Sequence, residues 1–261
     1  MAIKYLWGTI NNDVLRAADD GYSYRIKGND GNDWLFGNDQ SDELIGGNGN
    51  DLMSGGAGSD ILAGGQGDDA YLGGTGFDKA VLGNGNNRVD LRNTKYQNTN
   101  EGSDLFLDIE AVHGGGGNDS LIGNAQGNLL EGGTGDDWLF GLAGSDRLDG
   151  GSGKDHLIGG SGFDVMTGGS GADRFYNVGS GAADLITDFR DTGDFLTTSK
   201  KIERVVEHWN GDGLLVYSDD SLLVWLQGTN DVPGLTVNDW SIEINPVLIT
   251  GNGEDYIFFE E

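Results

Sequence analysis

Aspartate side chains recur every nine residues in two stretches of the chain. From Gly28 the sequence divides without a gap into six nonapeptides, and from Gly114 into seven more. The sixth position of each nonapeptide holds Asp33, Asp42, Asp51, Asp60, Asp69 and Asp78 in the first array, and Asp119, Asn128, Asp137, Asp146, Asp155, Asp164 and Asp173 in the second. Carboxylates in a chain without cysteine are hard oxygen ligands, which favour Ca²⁺ over zinc or copper. The spacing therefore predicts rows of calcium sites.

The other positions of each nonapeptide indicate how these carboxylates are held. Glycine predominates at positions one, two and four, which suits a tight turn, and a bulky apolar residue occupies position eight of nearly every unit, within a short strand. A flexible glycine linker has no reason to keep such a frame. Two nonapeptides would close one coil of a parallel β-roll, an all-β fold in which each coil needs stacked neighbours. Carboxylates stacked at the strand spacing of ~4.8 Å repel unless a cation lies between them.

The frame is similar to the G-G-x-G-x-D-x-U-x consensus of the RTX (repeats-in-toxin) hemolysin-type calcium-binding family. The resemblance implies that each Ca²⁺ lies between one turn and the turn two repeats later, with main-chain carbonyls of the glycine-rich turns completing the site. It implies about nine ions, with the Asn128 site weak or empty. The expected pairs are Asp33/Asp51, Asp51/Asp69, Asp42/Asp60, Asp60/Asp78, Asp119/Asp137, Asp137/Asp155, Asp155/Asp173, Asn128/Asp146 and Asp146/Asp164.

The net charge of −28 sets limits on the partners of the chain. Nucleic acids and anionic lipid surfaces attract basic patches, so neither is an expected partner. No apolar run approaches the roughly 20 residues of a membrane span, and no classical signal peptide follows Met1. About nine bound Ca²⁺ would leave a net charge of about −10. Much of the acidity is therefore interpreted as a calcium requirement.

The sequence outside the arrays divides into further segments. The expected organisation is a degenerate capping coil (1–27), the first array (28–81), an irregular insert (82–113), the second array (114–176), a β-rich antiparallel cap (177–246) and a tail with one isolated repeat-like unit (247–261). Asp13 fits the sixth position of a degenerate unit and is a weaker candidate ligand. The cap resembles the ends of serralysins and of alginate-epimerase R-modules, where Asp184 and Asp188 would be late calcium ligands or, as we favour, turn formers.

Motifs of catalysis are absent from the sequence, so no enzymatic activity is expected. The three histidines, His113, His156 and His208, lie in separate segments, and His156 is expected to be an exposed surface residue. The family resemblance implies a secreted protein that leaves the cell through a type I secretion apparatus and folds in extracellular Ca²⁺. The alternative is a carbohydrate- or surface-binding accessory module for an extracellular polysaccharide. A sugar site at Arg92 and Tyr96 is weighed against a solvated loop from Arg92 to Gly102, which we favour.

Overall fold

The structure is a computed structural model that describes residues 2–178, 182–189 and 194–198 and five later strands. Every regular element of these residues is a β-strand, and none of them forms a helix that could cross a bilayer. The chain folds as two compact units: residues 1–123 with Leu129–Glu131, and residues 124–128 with 132–261. The tail at 247–261 lies outside the described residues.

The first unit is built from short strands that follow one another at nearly regular intervals. They are β1 (Ile3–Trp7), β2 (Val14–Arg16), β3 (Ser23–Asp30), β4 (Trp34–Phe36), β5 (Glu43–Asn48), β6 (Leu52–Ala57), β7 (Ile61–Gln66), β8 (Ala70–Thr75), β9 (Lys79–Val81), β10 (Arg88–Asp90), β11 (Gln97–Asn98), β12 (Ser103–Leu107), β13 (Ala111–Gly116) and β14 (Ser120–Ile122). The boundary between the units falls inside β15 (Leu129–Thr134).

Alternate strands of the first unit stack into two parallel sheets. One runs β1-β3-β5-β7-β9-β13, and the other runs β2-β4-β6-β8-β12 with the antiparallel β11 at its edge. Within the first array, paired residues are 18 apart, as for Leu44 with Leu62 and Leu35 with Met53. Two nonapeptides therefore make one coil. This confirms the predicted all-β parallel β-roll.

The second unit repeats this architecture and then changes direction. After β15 it contains β16 (Trp138–Ala143), β17 (Arg147–Ser152), β18 (His156–Ser161), β19 (Val165–Ser170), β20 (Arg174–Val178), β21 (Asp184–Ile186), β22 (Phe195–Thr198), β23 (Arg204–Glu207), β24 (Gly213–Ser218), β25 (Ser221–Gln227), β26 (Leu235–Asn238) and β27 (Ser241–Ile244). The rows β16-β18-β20-β22 and β17-β19-β21-β25 are parallel. Antiparallel strands, β27-β26 and β24-β23, then close the two rows. The expected antiparallel cap is present, and parallel coils extend into its first strands.

The core of each unit is the column of side chains at position eight. These residues are completely buried: Leu35, Leu44, Met53, Leu62 and Tyr71 in the first unit, and Leu139, Leu148, Leu157, Met166 and Phe175 in the second. Tyr71 stacks on Phe106 of β12, with ring centroids 4.8 Å apart. Each column buries apolar area from every coil, which is the main favourable term for such short strands.

Two local features differ from the sequence-based expectation. Most strands of the arrays have six residues and extend beyond the short strand expected around position eight, because pairing continues into the glycines of the next unit, as for Gly47 with Gly65. At Gly47 (φ 127°) a methyl group would lie 1.8 Å from the Asn29 carbonyl oxygen, so the coils stack only with glycine there. The segment from Arg92 to Gly102 is not wholly a solvated loop, since Gln97 is buried within β11.

Candidate metal centre

The sixth-position carboxylates form hydrogen-bonded ladders along the edges of the roll. Oδ1 of Asp51 accepts the backbone N–H of Asp33 at 2.7 Å, and Oδ1 of Asp69 accepts that of Asp51 at 2.7 Å. Along the other edge, Asp60 accepts from Asp42 and Asp78 accepts from Asp60. Each carboxylate is thus fixed by the coil before it, and the structure brings together all four pairs expected in the first array.

The second array has the same arrangement. Four backbone N–H groups donate to Oδ1 of the carboxylate two repeats later, at 2.8–2.9 Å. The pairs are Asn128 with Asp146, Asp137 with Asp155, Asp146 with Asp164 and Asp155 with Asp173. Asp119 lies in the first unit and Asp137 in the second. In the first unit, Oδ1 of Asp119 accepts the N–H of Asn87 at 2.7 Å.

The second carboxylate oxygen distinguishes these residues from ordinary turn aspartates. Oδ2 is buried and has no hydrogen-bond partner in eight residues: Asp33, Asp51, Asp60, Asp69, Asp78, Asp146, Asp155 and Asp164. A buried oxygen without a partner costs roughly 1–3 kcal/mol, and more when it is charged. A repeated cost of this kind points to a cation as the missing partner, because Ca²⁺ binds carboxylate oxygens directly.

A main-chain carbonyl from the next coil faces the same point as several of these oxygens. A methyl group built on Gly46, the first residue of its repeat, would lie 2.2 Å from Asp51 Oδ2 and 2.6 Å from the Gly64 carbonyl oxygen. The same relationship holds at Gly28, Gly55, Gly141 and Gly150. Carboxylate and carbonyl oxygens converge there on space that only glycine leaves open, and this donor set fits a calcium ion.

Burial also changes the protonation of these carboxylates. Desolvation raises the pKa of Asp51 to about 6, of Asp60 to about 7 and of Asp69 to about 8, and neighbouring carboxylates add to the effect. In the second unit, desolvation raises the pKa of Asp146 to about 6 and of Asp155 to about 7. Ionised carboxylates are thus disfavoured without a nearby positive charge.

Two repeats close their turns in another way. In the repeats that carry Asn at position two and Gln at position four, the sixth side chain accepts a local N–H group. Oδ2 of Asp42 accepts the N–H of Asn38 at 2.7 Å, and Oδ1 of Asn128 accepts that of Asn124 at 2.7 Å. Asp13 similarly accepts the N–H of Thr9 through Oδ2 at 2.6 Å. Asp13 and Asp42 thus have an internal partner at Oδ2, whereas Oδ2 of Asp33 and of Asp51 has none.

No group of three or more His, Asp or Glu side chains in the described residues is arranged as a conventional metal cluster. This is compatible with the geometry above, in which each turn presents one carboxylate and its remaining oxygens come from the main chain. Ca²⁺ accepts carbonyl and water oxygens in tolerant geometry, so it does not need three carboxylates. Side chains alone therefore do not define the site.

The ladders continue into segments outside the nine-residue frame. Four backbone N–H groups at the ends of the arrays donate to carboxylates outside the frame, at 2.8–3.1 Å. The pairs are Asp69 with Asp104, Asp78 with Glu110, Asp164 with Asp184 and Asp173 with Asp194. Asp188 accepts from Gly168 and Gly169 at 2.9 and 2.7 Å. The frame did not identify Asp104, Glu110 or Asp194. Asp184 lies at the start of β21 rather than in a turn.

The remaining candidate residues lie apart from the ladders. The expectation that His156 is exposed is wrong: it is half-buried, stacks on Trp138 with centroids 3.9 Å apart and bonds the Tyr176 hydroxyl through Nδ1 at 2.9 Å. His113 faces Glu131, with Nδ1 3.3 Å from its carboxylate. His208 lies outside the described residues.

Arg92 and Tyr96, the two residues of the less favoured sugar site, have different surroundings in the first unit. Arg92 forms a bidentate ion pair with Asp90. Tyr96 is exposed and lines a cavity of about 460 Å³ on the outer face of the roll, together with Trp34, Asn50, Asp68 and Ser103.

Comparison with known proteins agrees with this geometry. The RTX calcium-binding nonapeptide repeat family matches residues 27–62, 45–80, 63–92, 113–148, 122–157 and 149–177, which together make up half of the chain. No curated protein matches the chain. Among solved structures, it is similar to the extracellular lipase LipA from Serratia marcescens, with 22% identity and a TM-score of 0.29 over 81% of this chain. It spans 38% of the length of that protein.

Proposed function

Since the chain belongs to the RTX calcium-binding nonapeptide-repeat family, we propose that it is a secreted protein, or part of one, whose folding is triggered by extracellular Ca²⁺. The observation that supports this most strongly is the row of buried Oδ2 atoms without partners, exemplified by Asp51, Asp60 and Asp155. A roll that is incomplete without cations gains stability from every ion that binds only its folded state.

The residues proposed to hold calcium are those at the sixth position of the repeats, with main-chain carbonyls of the stacked turns. Asp33, Asp51, Asp60, Asp146 and Asp155 each combine a partnerless Oδ2 with a carbonyl from the next coil. When bound, the ion would supply the positive charge that lets stacked carboxylates ionise. The chain's own residues fix the carboxylates through Oδ1, and position-one glycines leave the space.

The family implies export through a type I secretion apparatus, and the same energetics suit such a route. In the cytosol, at low Ca²⁺, the repulsion among acidic residues opposes compaction, so the chain stays unfolded and can pass through a channel. Outside the cell, a site held at ten times its dissociation constant contributes about 1.4 kcal/mol, and several sites together decide folding. Folding outside the cell then prevents backward movement. RTX repeats are typically structural rather than catalytic, so this proposal gives the roll no reaction of its own.

The test of the folding trigger compares the full chain in EDTA, in millimolar CaCl₂ and in millimolar MgCl₂. Circular dichroism and hydrodynamic radius are measured in each solution. We expect β-structure and a compact radius only with Ca²⁺, because Mg²⁺ demands a stricter octahedral geometry and keeps its water. A compact β-rich chain in EDTA, with no change on adding Ca²⁺, would overturn the proposal.

A second candidate function is supported by the cavity on the first unit. Trp34 and Tyr96, about half exposed, flank polar groups of Asn50 and Ser103, and aromatic faces beside hydrogen-bonding groups suit a sugar ring. The carboxylate of Asp68 disfavours an anionic polymer. Binding to a panel of neutral and acidic polysaccharides tests this function. Binding that is lost in Trp34→Ala and Tyr96→Ala supports it, and no binding in saturating Ca²⁺ rejects it.

A further inference from the structure

The first array ends at Asp78, where the nine-residue frame stops supplying carboxylates. The residue 18 positions later is Tyr96, which is exposed and does not accept from this turn. Instead, the carboxylate of Glu110 accepts the backbone N–H of Asp78 at 2.9 Å, and the Asp78 carbonyl accepts the N–H of Ala111 at 2.9 Å. Strand β13 continues this register, with Ala111 opposite Lys79. An irregular segment therefore takes the place of the next repeat.

The Asp78 side chain provides an independent observation at this turn. Asp78 is completely buried, and its Oδ2 has no hydrogen-bond partner. A methyl group built on Gly73 would lie 2.7 Å from this oxygen and 1.9 Å from the carbonyl oxygen of Asp108. In the interior turns, that carbonyl belongs to the first glycine two repeats later. Here Asp108, which has a φ of 53°, presents its carbonyl instead.

The chemistry of the irregular segment matches that of a repeat in fewer residues. In the repeats, the carbonyl donor and the carboxylate are five residues apart, as for Gly46 and Asp51. In the segment Asp108-Ile109-Glu110 they are only two apart. The extra methylene of glutamate lets Glu110 reach the Asp78 N–H from this shorter turn. The exposed side chain of Asp108 adds a further negative charge.

We propose that Asp78, Glu110 and the main-chain carbonyl of Asp108 form an additional calcium site at the end of the first array, outside the repeat frame. The proposal rests on the calcium-binding function proposed above. The ion would link the last turn of the array to the irregular segment, because no further nonapeptide follows there to supply the donors. The Asp108 carbonyl faces the buried, partnerless Oδ2 of Asp78, and the Glu110 carboxylate is held at the same turn by the Asp78 N–H. Carboxylate and carbonyl oxygens are the donors that Ca²⁺ prefers.

The other edge of the same array ends differently and provides a matched control. Asp104 accepts the N–H of Asp69 through Oδ1 at 2.8 Å, and its Oδ2 accepts the Thr99 hydroxyl at 2.5 Å. The space beside Gly64 receives the hydroxyl of Tyr71 rather than a carbonyl, and that hydroxyl accepts the Gly64 N–H at 2.9 Å. Asp104 is thus satisfied on both oxygens without an ion.

The experiment measures the number of Ca²⁺ ions bound per full-length chain by calorimetric titration in wild type, Glu110→Gln and Asp104→Asn. We expect Glu110→Gln to bind one ion fewer than wild type, and Asp104→Asn to bind the same number. An unchanged count in Glu110→Gln, or the loss of one ion in both variants, would overturn the site. A wild-type chain that binds no Ca²⁺ would instead reject the proposed function itself.

A second variant guards against a simple folding defect. Glu110→Asp keeps the charge and removes the methylene that provides reach, so we expect it to fold in saturating Ca²⁺ and still to lose the ion or weaken its binding at least tenfold. Circular dichroism in saturating Ca²⁺ reports folding for each variant. Full calcium binding by Glu110→Asp, with wild-type affinity at every site, would contradict the assigned role of Glu110.

Discussion

The carboxylate of Asp51 accepts the backbone N–H of Asp33 through Oδ1 at 2.7 Å, while its Oδ2 is buried without a partner. The first contact holds two consecutive coils in register without any ion. The second atom leaves a charge to be compensated, since burial of an unpaired carboxylate is strongly unfavourable. Asp51 thus holds the coils together through one oxygen and leaves the other available to a cation.

Replacing Asp60 by Asn is expected to remove one calcium ion. Oδ2 of Asp60 has no partner in the protein, and an amide nitrogen at that place cannot bind a cation. The calcium concentration at the folding midpoint should rise severalfold, because a site held at ten times its dissociation constant contributes about 1.4 kcal/mol. Calorimetry counts the ions, and circular dichroism gives the midpoint.

Asp42→Asn is the matched control for this change. Oδ2 of Asp42 already accepts the Asn38 N–H, and Asn128 occupies the corresponding position of a similar repeat in the second array. We expect an unchanged ion count and a loss of stability of about 1–3 kcal/mol, because an amide can accept only one of the two N–H groups, of Tyr24 and Asn38, that Asp42 accepts. Equal losses of calcium in Asp42→Asn and Asp60→Asn would contradict the distinction between the two kinds of turn.

Gly46→Ala is expected to block one site by volume rather than by charge. The new methyl group would lie 2.2 Å from Asp51 Oδ2 and 2.6 Å from the Gly64 carbonyl oxygen, so the two oxygens could no longer converge. Overpacking of this kind costs about 1–3 kcal/mol. Urea unfolding in saturating Ca²⁺ measures it, with Asn48→Ala at the exposed third position as the control. Wild-type stability and ion count in Gly46→Ala would rule out this geometry.

Leu62→Ala should destabilise the roll by about 2–5 kcal/mol, because it leaves a cavity in the column of position-eight side chains. Leu62 is 0% exposed, whereas the adjacent Ile61 is 43% exposed on the outer face. Ile61→Ala is therefore expected to change the free energy of unfolding much less. Both variants are compared by chemical unfolding in saturating Ca²⁺. Similar losses of unfolding free energy in the two variants would contradict the assignment of position eight to the core.

Lowering the pH should favour folding of the ion-free chain. Burial raises the pKa of Asp60 to about 7 and of Asp69 to about 8, so an ion-free folded roll holds protons that the unfolded chain has lost at neutral pH. This contribution to stability is therefore fully present below the unfolded pKa of about 4 and is lost as the pH rises through about 6 to 8. Circular dichroism and hydrodynamic radius in EDTA, followed from about pH 8 to about pH 4, measure it. A chain that gains no β-structure or compactness in EDTA as the pH falls would contradict the raised pKa values.

The fold and the ladders within each array follow directly from the sequence. A strict period of nine fixes which side chains share a face, and the pairs Asp33/Asp51 and Asp42/Asp60 follow from stacking two repeats per coil. Repetition makes this possible because every coil meets a copy of itself. The nine-residue spacing alone therefore predicts the contacts between stacked coils.

Residues outside the frame could not be identified in this way. Glu110 acts from a turn of different length, and its contact with Asp78 depends on how the irregular segment folds back. The hydroxyl of Tyr71 fills the space beside Gly64 although its position in the repeat predicts only a core ring. The stacking of His156 on Trp138 joins strands 18 residues apart. The sequence does not predict this contact, because residue types at this position of the repeat vary from unit to unit.

The most direct test of the account is the number of calcium ions that the intact chain binds. The account predicts about eight: the nine pairs expected from the sequence, without the two turns closed by Asp42 and Asn128, and with the additional site proposed at Glu110. Calorimetric titration of the ion-free chain at pH 7.5 gives this number. A stoichiometry near eight is the predicted result. Three ions or fewer would contradict the claim that stacked aspartate turns throughout the two arrays bind calcium.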